Sequence, residues 1–481
     1  MPVDDDIVNP SNNTPFADIL NARTSRRNAM AGGLAAAAVG FFAQSGVAGA
    51  SRGGQRGPNL PKPNQGSLLG FTPTPNLGGA LPSISSDYEY QVVIPWGTPL
   101  FPGVPDIAGG RPASAADQER QVGIGHDGMW FFADRGSNDR GLLCINHEFG
   151  RNTHVLGKGF PESLEDVRIS QAAHGVSVVE LMKTNGTWTS STSSRFNRRI
   201  TPNTPVVFGG PVAGTSYIES KMGNAPAGTV NNCANGYTPW GTYLTCEENF
   251  NGYFGAVDAF VPNEEQARYG FTDSGFGYGW HVFDERWDLN KNAGEENRFG
   301  WIVEIDPRDP GAPPVKHTAM GRFKHEGFAF TTGRGGRAVG YMGDDQRFDY
   351  IYKFVSASNW KSMRARGTSP FSEGTLYVAR FDEDGTGEWL PLTIDNPALA
   401  ARFADQAELL TYTRSAADIV GATPMDRPEW TSVAPHGDVS CTRTNNRRRT
   451  ETDAVNPEAP NNNGHIIRWR DADNHVGTTF E

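Results

Sequence analysis

A chain of 481 residues can bury a large core, either as one large β domain or as two ordinary ones. Its 57 Gly and 33 Pro, with 37% hydrophobic and 11% aromatic residues, favour a loop-rich all-β protein. A formal net charge of −11 argues against nucleic acid, which needs a basic face. An anionic substrate stays open where bound metal ions reverse the local field.

Taken in chain order, residues 1–50 read as a twin-arginine export signal. Thr24-Ser25-Arg26-Arg27-Asn28-Ala29-Met30 precedes a weakly apolar Ala/Gly-rich run, residues 31–47, and Ala48-Gly49-Ala50 supplies a small-x-small cleavage site. The rival reading is an uncleaved anchor, but the run is short and Gly-rich beside the ~20 apolar residues of a comfortable span. The expected handling partner is the twin-arginine translocase, the expected location periplasmic or secreted, with no stable membrane insertion after cleavage. Residues 51–85, rich in Gly, Pro, Ser and Asn, read as a flexible linker or N-terminal arm, and 86–481 as a single β domain.

Short apolar runs bounded by turn residues predict strands at 91–94, 128–132, 141–145, 175–179, 205–208, 242–245, 301–305, 338–342, 350–355, 374–378 and 464–469. Helical periodicity appears around 396–410. The acidic run 382–388 reads as a solvated hairpin turn. Many short strands allow a sandwich, a barrel or a propeller. A propeller is favoured because its inner strands converge, so distant segments can each deliver a ligand to one axis.

Such deliveries recur. Asn146-His147-Glu148, Cys246-Glu247-Glu248-Asn249, Lys324-His325-Glu326-Gly327 and Gly343-Asp344-Asp345 each end a β-prone run. Packed carboxylates repel, and burial raises that cost, so the set points to a site for several hard cations. His147 and His325 immediately precede glutamates and, on a strand, face the other way, which suits packing. Of the four cysteines, Cys144 and Cys441 read as buried thiols, and Cys233 with Cys246 could close a loop; no zinc-type spacing is present.

The motifs in their order resemble the PhoX-type secreted alkaline phosphatases, which use calcium and iron. The residues carrying the resemblance are those signatures together with Gly241–Asn249, Gly321–Gly327, Tyr350–Phe354, Gly374–Phe381, Met425-Asp426-Arg427-Pro428-Glu429-Trp430, Thr444-Asn445-Asn446, Asn456-Pro457 and Asn463–Arg468. They cover roughly 88–470.

The resemblance implies a six-bladed β-propeller holding Ca2+ and Fe3+ on its axis, with phosphate monoesters as substrates. It implies carboxylate ligands at Glu148, Glu247 or Glu248, Glu326 and Asp345, joined by Glu429 and Asp127. Asn146 and Lys324, two residues before Glu148 and Glu326, share their strand faces and are the expected donors to phosphate oxygens. The family's cysteine thiolate is expected near the first acidic segment, where this chain offers His126, a residue that also suits iron, or Cys144. The chain also lacks the Asp- and Gly-rich stretch that in the family follows the Gly464–Arg468 segment. The propeller is therefore expected to close differently or incompletely. Two alternatives remain open: a non-catalytic metal-binding propeller of the cell envelope, or a truncated, inactive relative. A single-calcium lactonase is a third.

Overall fold

Alternation of β-branched and aromatic residues between Gly- and Pro-containing turns produces 19 strands in four sheets, with short helices between them, among the described residues of a computed structural model. The described residues are 71, 72, 74, 82–107, 110–223 and 227–481. The chain divides into two compact units, Met1–Tyr90 and Gln91–Glu481. In the first, the Asp87 carboxylate accepts a hydrogen bond from the Thr72 amide, and Phe71 meets Tyr88 edge to face. The export signal expected at 1–50, and most of the expected linker, lie outside the described residues.

All 19 strands belong to the second unit. The first sheet runs β1 (His126–Ala133), β2 (Arg140–His147), β3 (Gly175–Thr184) and β4 (Thr187–Ser190), with β5 (Arg198–Ile200) also on β3. The second is built from β6 (Val207–Gly209), β7 (Asn232–Tyr237), β8 (Tyr243–Glu247), β9 (Ile302–Ile305) and β10 (Val315–His317), in the order β6-β10-β9-β8-β7. The third is a meander of β11 (Ala329–Thr332), β12 (Arg337–Gly343), β13 (Ile351–Asn359), β14 (Gly374–Phe381) and β15 (Gly387–Pro391). The fourth holds β16 (Pro428–Val433), β17 (Asp438–Arg443) and β18 (His465–Arg470). Finally β19 (Thr479–Phe480) returns to the third sheet and pairs antiparallel with β15. Asp471 anchors this return by accepting from Tyr341, Lys353 and Trp389.

Consecutive sheets pack face to face. Phe132 and Leu142 of the first sheet meet Tyr243 and Ile305 of the second. Leu244 and Ile302 meet Met342, Tyr352 and Leu376 of the third. Tyr341 and Trp389 meet Cys441 and Trp469 of the fourth, with Phe480 sealing the seam. Each such fully buried side chain contributes about 1.5–3 kcal/mol relative to exposure. One edge strand of each sheet lies inward: β7 packs on β1 and β11, and β16 on β11 and β12.

One local expectation changes. Residues 91–94 are irregular rather than a strand, and the Ile94 carbonyl pairs with the His126 ring. The periodic stretch at 396–410 is two short helices, Pro397–Ala400 and Gln406–Thr411, each started by a side-chain cap from Asn396 or Asp405. A further helix, Leu164–Ala173, is capped by Ser163, whose hydroxyl accepts from the Asp166 amide.

Candidate metal centre

The antiparallel hairpins explain why the acidic signatures meet. His126 pairs with His147, so the start of β1 lies beside the end of β2 and brings Asp127 next to Glu148. Asn232 pairs with Glu247 in the same way and joins Cys233 to Glu248. Ala329 pairs with Tyr341, so Glu326, just before β11, and Asp345, just after β12, share one end. Each hairpin therefore delivers two ligand-type residues from its open end, and β16 adds Glu429.

Asp127, Cys233 and Glu429 are each the second residue of an inner strand, and each lies within a break in register: between His126 and Met129, Asn232 and Asn235, and Pro428 and Thr431. Such irregularities re-aim a side chain that regular alternation would bury between sheets. Backbone bonds lock the segments together, with the Ala234 amide donating to the Glu326 carbonyl at 3.0 Å and the Glu326 amide to the Gly343 carbonyl at 3.2 Å. Close approach also demands glycine. A Cβ on Gly128 would lie 2.8 Å from the Cys233 carbonyl oxygen, and one on Gly343 2.5 Å from that of Glu429.

The result is three overlapping groups whose ligand atoms lie within 4.8 Å of one another: Asp127, Glu148 and Cys233; Cys233, Glu248 and Glu326; Glu326, Asp345 and Glu429. Cys233 joins the first to the second, and Glu326 the second to the third. The Cys233 sulfur is 3.2 Å from Asp127 Oδ2 and 3.2 Å from Glu326 Oε1.

Burial, and then repulsion by Asp127, push the Glu148 carboxyl up to about 8. Burial and then Asp345 raise Glu429 to about 7. Glu248 and Glu326 are driven well above the carboxylate range, first by burial and then by Glu326 and Glu429 respectively. The Cys233 thiol is pushed up by burial and by Glu248. Burial and mutual repulsion thus oppose the joint ionisation of these groups, a cost that bound cations would offset. The oxygen donors of the set suit hard ions, and its one sulfur suits a transition metal, so the residues present fit metal binding.

A family model for the alkaline phosphatase PhoX matches residues 69–481. The chain belongs to the PhoX alkaline phosphatase family. Among solved structures it resembles Pseudomonas fluorescens PhoX in complex with vanadate, described as a transition state analogue. The two are 44% identical with a TM-score of 0.77, and the match covers 83% of this chain and 72% of that one. No curated protein matches the chain.

Of the residues singled out in the sequence, this PhoX-family chain brings Asp127, Glu148, Glu248, Glu326, Asp345 and Glu429 together. Glu247 is a correction. It points to the opposite face from Glu248, where Lys316 Nζ donates to it at 2.7 Å and the Gly300 and Trp301 amides donate at 2.9 and 3.0 Å. That carboxylate has no spare role at the cluster.

The thiol expectation also changes. His126 pairs with the Ile94 carbonyl, and Cys144 is sealed in the core between the first and second sheets. Cys233, rather than either of them, lies among the cluster carboxylates. All four cysteines are free, so Cys233 and Cys246 close no loop. Cys233 was missed because it is distant from Glu148 in the chain; the available signal was its strand's pairing with the one that ends at Glu247-Glu248.

Asn146 is fully buried and satisfied within the protein, contrary to its expected exposure to phosphate. Its Nδ2 donates to the Cys233 and Ala234 carbonyls at 2.5 and 3.0 Å, and its Oδ1 accepts from Tyr243 and Thr245. It is a strut that fixes Cys233. Lys324 does lie beside the cluster, donating to Asn249 Oδ1 at 3.0 Å. Burial, then Arg414, lower its ammonium to about 8. His147, at the end of β2, pairs with Ser177, and His325, ahead of β11, is buried and stacks on Phe323.

Arg427 was unassigned in the sequence. Its Nε donates to Asp345 Oδ1 at 2.9 Å, and its Nη2 to Asp345 Oδ2 at 2.7 Å and Glu429 Oε1 at 3.2 Å.

Proposed function

We propose that this chain is an exported, metal-dependent phosphatase of phosphate monoesters, with Ca2+ and Fe3+ as its ions and a six-bladed propeller as its scaffold. The observation carrying the reading is the convergence of six carboxylates and one thiol into three overlapping groups, in a chain of the PhoX family. The vanadate bound by the Pseudomonas fluorescens relative supports phosphoryl chemistry.

Asp127, Glu148 and Cys233, with their sulfur donor, would hold iron; Glu326, Asp345 and Glu429 are an all-oxygen set suited to calcium. Bound ions would supply Lewis-acid polarisation of the phosphate and neutralise its charge. The protein supplies the rest. Asn146 fixes the backbone at Cys233, so the thiol is presented in one place. Lys324 sets a buried positive charge against Glu248 and Asp345, offsetting part of their repulsion. The Asp344 carboxylate, held by the buried Arg414, pins the turn that carries Asp345.

Inward placement of β1, β7, β11 and β16 supports the propeller reading, with the ions on its axis. The paired Arg26-Arg27 supports export by the twin-arginine translocase to the periplasm or beyond. No helix among the described residues is long and apolar enough to cross a membrane. Family membership does not favour the binding-only alternative.

The test is release of inorganic phosphate from p-nitrophenyl phosphate at alkaline pH, compared with bis-p-nitrophenyl phosphate. Monoester turnover far exceeding diester turnover is expected. Diester-only turnover, or none from folded, metal-loaded protein, contradicts the reading.

A further inference from the structure

Between the inner strands lies a cleft of about 590 Å³ that reaches the cluster at Asp127. From there its walls follow β1, β7, β11 and β16 as far as Tyr237 and Val433, the last residues of β7 and β16. Trp130 and Tyr237 are stacked in its wall, with ring centroids 3.6 Å apart and planes 12° from parallel. Phe330, Trp430 and Met129 continue the apolar lining. Met129, Tyr237 and Trp430 keep 46%, 45% and 44% of their exposure. Large exposed apolar side chains are ordinary when scattered; three around one cleft mark a binding surface.

Trp430 ties this cleft to the cluster. It follows Glu429 within the same break in register, between Pro428 and Thr431. Its ring also lies over Gly327, the residue after Glu326: a Cβ added there would be 4.0 Å from Trp430 Cδ2 and 3.5 Å from the Cβ of Ala234, the residue after Cys233. A Cβ on Gly128, after Asp127, would lie 2.9 Å from Ala234 Cα. Four residues that each follow a ligand-type side chain therefore pack together at the head of the cleft. Among the lining residues Asp127 is the only charged one, and Asn235, Thr431 and Ser432 are neutral. The lining offers no cation to a further phosphate or carboxylate, and burying such a group unpaired is costly. A flat, uncharged apolar group is what stacking and burial here favour.

We propose that this cleft is the leaving-group site, taking the uncharged aryl portion of an aryl phosphate monoester whose phosphoryl group is held at the cluster. Trp430, at the head of the cleft, meets the ring next to phosphorus, and the Trp130–Tyr237 stack forms the wall farther along. Trp430 and Tyr237 are thereby specificity-determining residues. The inference rests on the phosphatase reading and narrows it: aryl monoesters are favoured over those whose alcohol is small or charged.

The experiment uses metal-loaded full-length protein, with Trp430→Ala and Tyr237→Ala alongside the wild type. Calorimetric affinities for phenylphosphonate and methylphosphonate, which are not hydrolysed, are measured on each, together with kcat/KM for phenyl phosphate and methyl phosphate. The wild type is expected to prefer the phenyl ligand by about tenfold, roughly the worth of one or two aromatic contacts. That preference is expected to fall to about threefold or less in at least one variant, with the ratio of the two kcat/KM values falling alongside it. Because each readout is a ratio on one protein sample, partial metal loss or misfolding cancels from it. A wild type that binds the two phosphonates within about twofold of each other overturns the proposal, as does a preference that both variants retain. Tyr237 lies on another strand from Glu429, so its variant decides the matter even where Trp430→Ala fails to fold. A wild type that prefers the phenyl ligand yet turns over neither ester contradicts the phosphatase reading alone. One that turns over both esters without preference overturns the cleft assignment alone.

Discussion

Cys233 is the residue on which the chemistry of the cluster turns. A buried thiol among carboxylates stays protonated by itself, and a bound cation reverses that by making the thiolate the favoured form. Cys233→Ser nearly preserves volume and removes the soft donor. It is expected to fold normally and to lose metal from the group shared with Asp127 and Glu148, with activity falling about 10²-fold or more. Elemental analysis beside a thermal melt checks this; full metal content would contradict the assignment. Glu326, which serves two groups, predicts a broader loss. Glu326→Gln is expected to lower both metal content and kcat/KM by about 10²-fold, measured by the same analysis and steady-state kinetics.

At the scale of single elements, close strand approach makes glycine mandatory at the crossings. Gly128→Ala places a Cβ against the backbone of Cys233 and Ala234, which cannot yield as a side-chain tip would. A stability loss of about 1–3 kcal/mol is expected, with weakened metal retention, measured by chemical denaturation with and without calcium. The helix Leu164–Ala173 carries a separate, pH-dependent element. His174 at its C-cap is buried and neutral, with Nδ1 facing the Ser170 carbonyl at 2.6 Å and Nε2 accepting from the Gly150 amide at 3.1 Å. Burial lowers its pKa to about 4. The unfolded chain therefore binds a proton below the ordinary histidine value of 6.5 that the folded protein refuses until about 4. Stability contributed at neutral pH is lost as pH falls across that window, up to roughly 3 kcal/mol. Denaturation midpoints between pH 7 and 4 test it, and His174→Gln is expected to flatten the slope.

Across the whole molecule, the hairpin logic explains what could be read in advance. A carboxylate at a strand's end marks itself by the apolar run before it, so Glu148, Glu248 and Asp345 were legible from pattern, whereas Glu326 leads into β11 and was found by its acidic motif alone. Glu247 and Glu248 were inseparable until strand pairing assigned their faces. Cys233 and Arg427 were hidden for a different reason: one sits at a strand's start and the other just before a strand, and neither caps an acidic run. Their meaning comes from the partner strand and from a left-handed backbone, both tertiary facts. Asn146 looked functional by spacing, yet the close approach of β7 to the end of β2 consumes all its hydrogen-bonding groups. The sheet order, with β6 joined to β10 and β19 joined to β15, was likewise invisible to local pattern, because those pairings span long stretches of chain.

Phosphatase activity is expected to depend on the ions that this cluster holds. The most direct measurement is stepwise chelation of the exported protein, with metal content and p-nitrophenyl phosphate turnover read from the same samples. Turnover falling in step with metal loss, and returning on resupply, is the result predicted. Undiminished turnover by metal-free protein would contradict it.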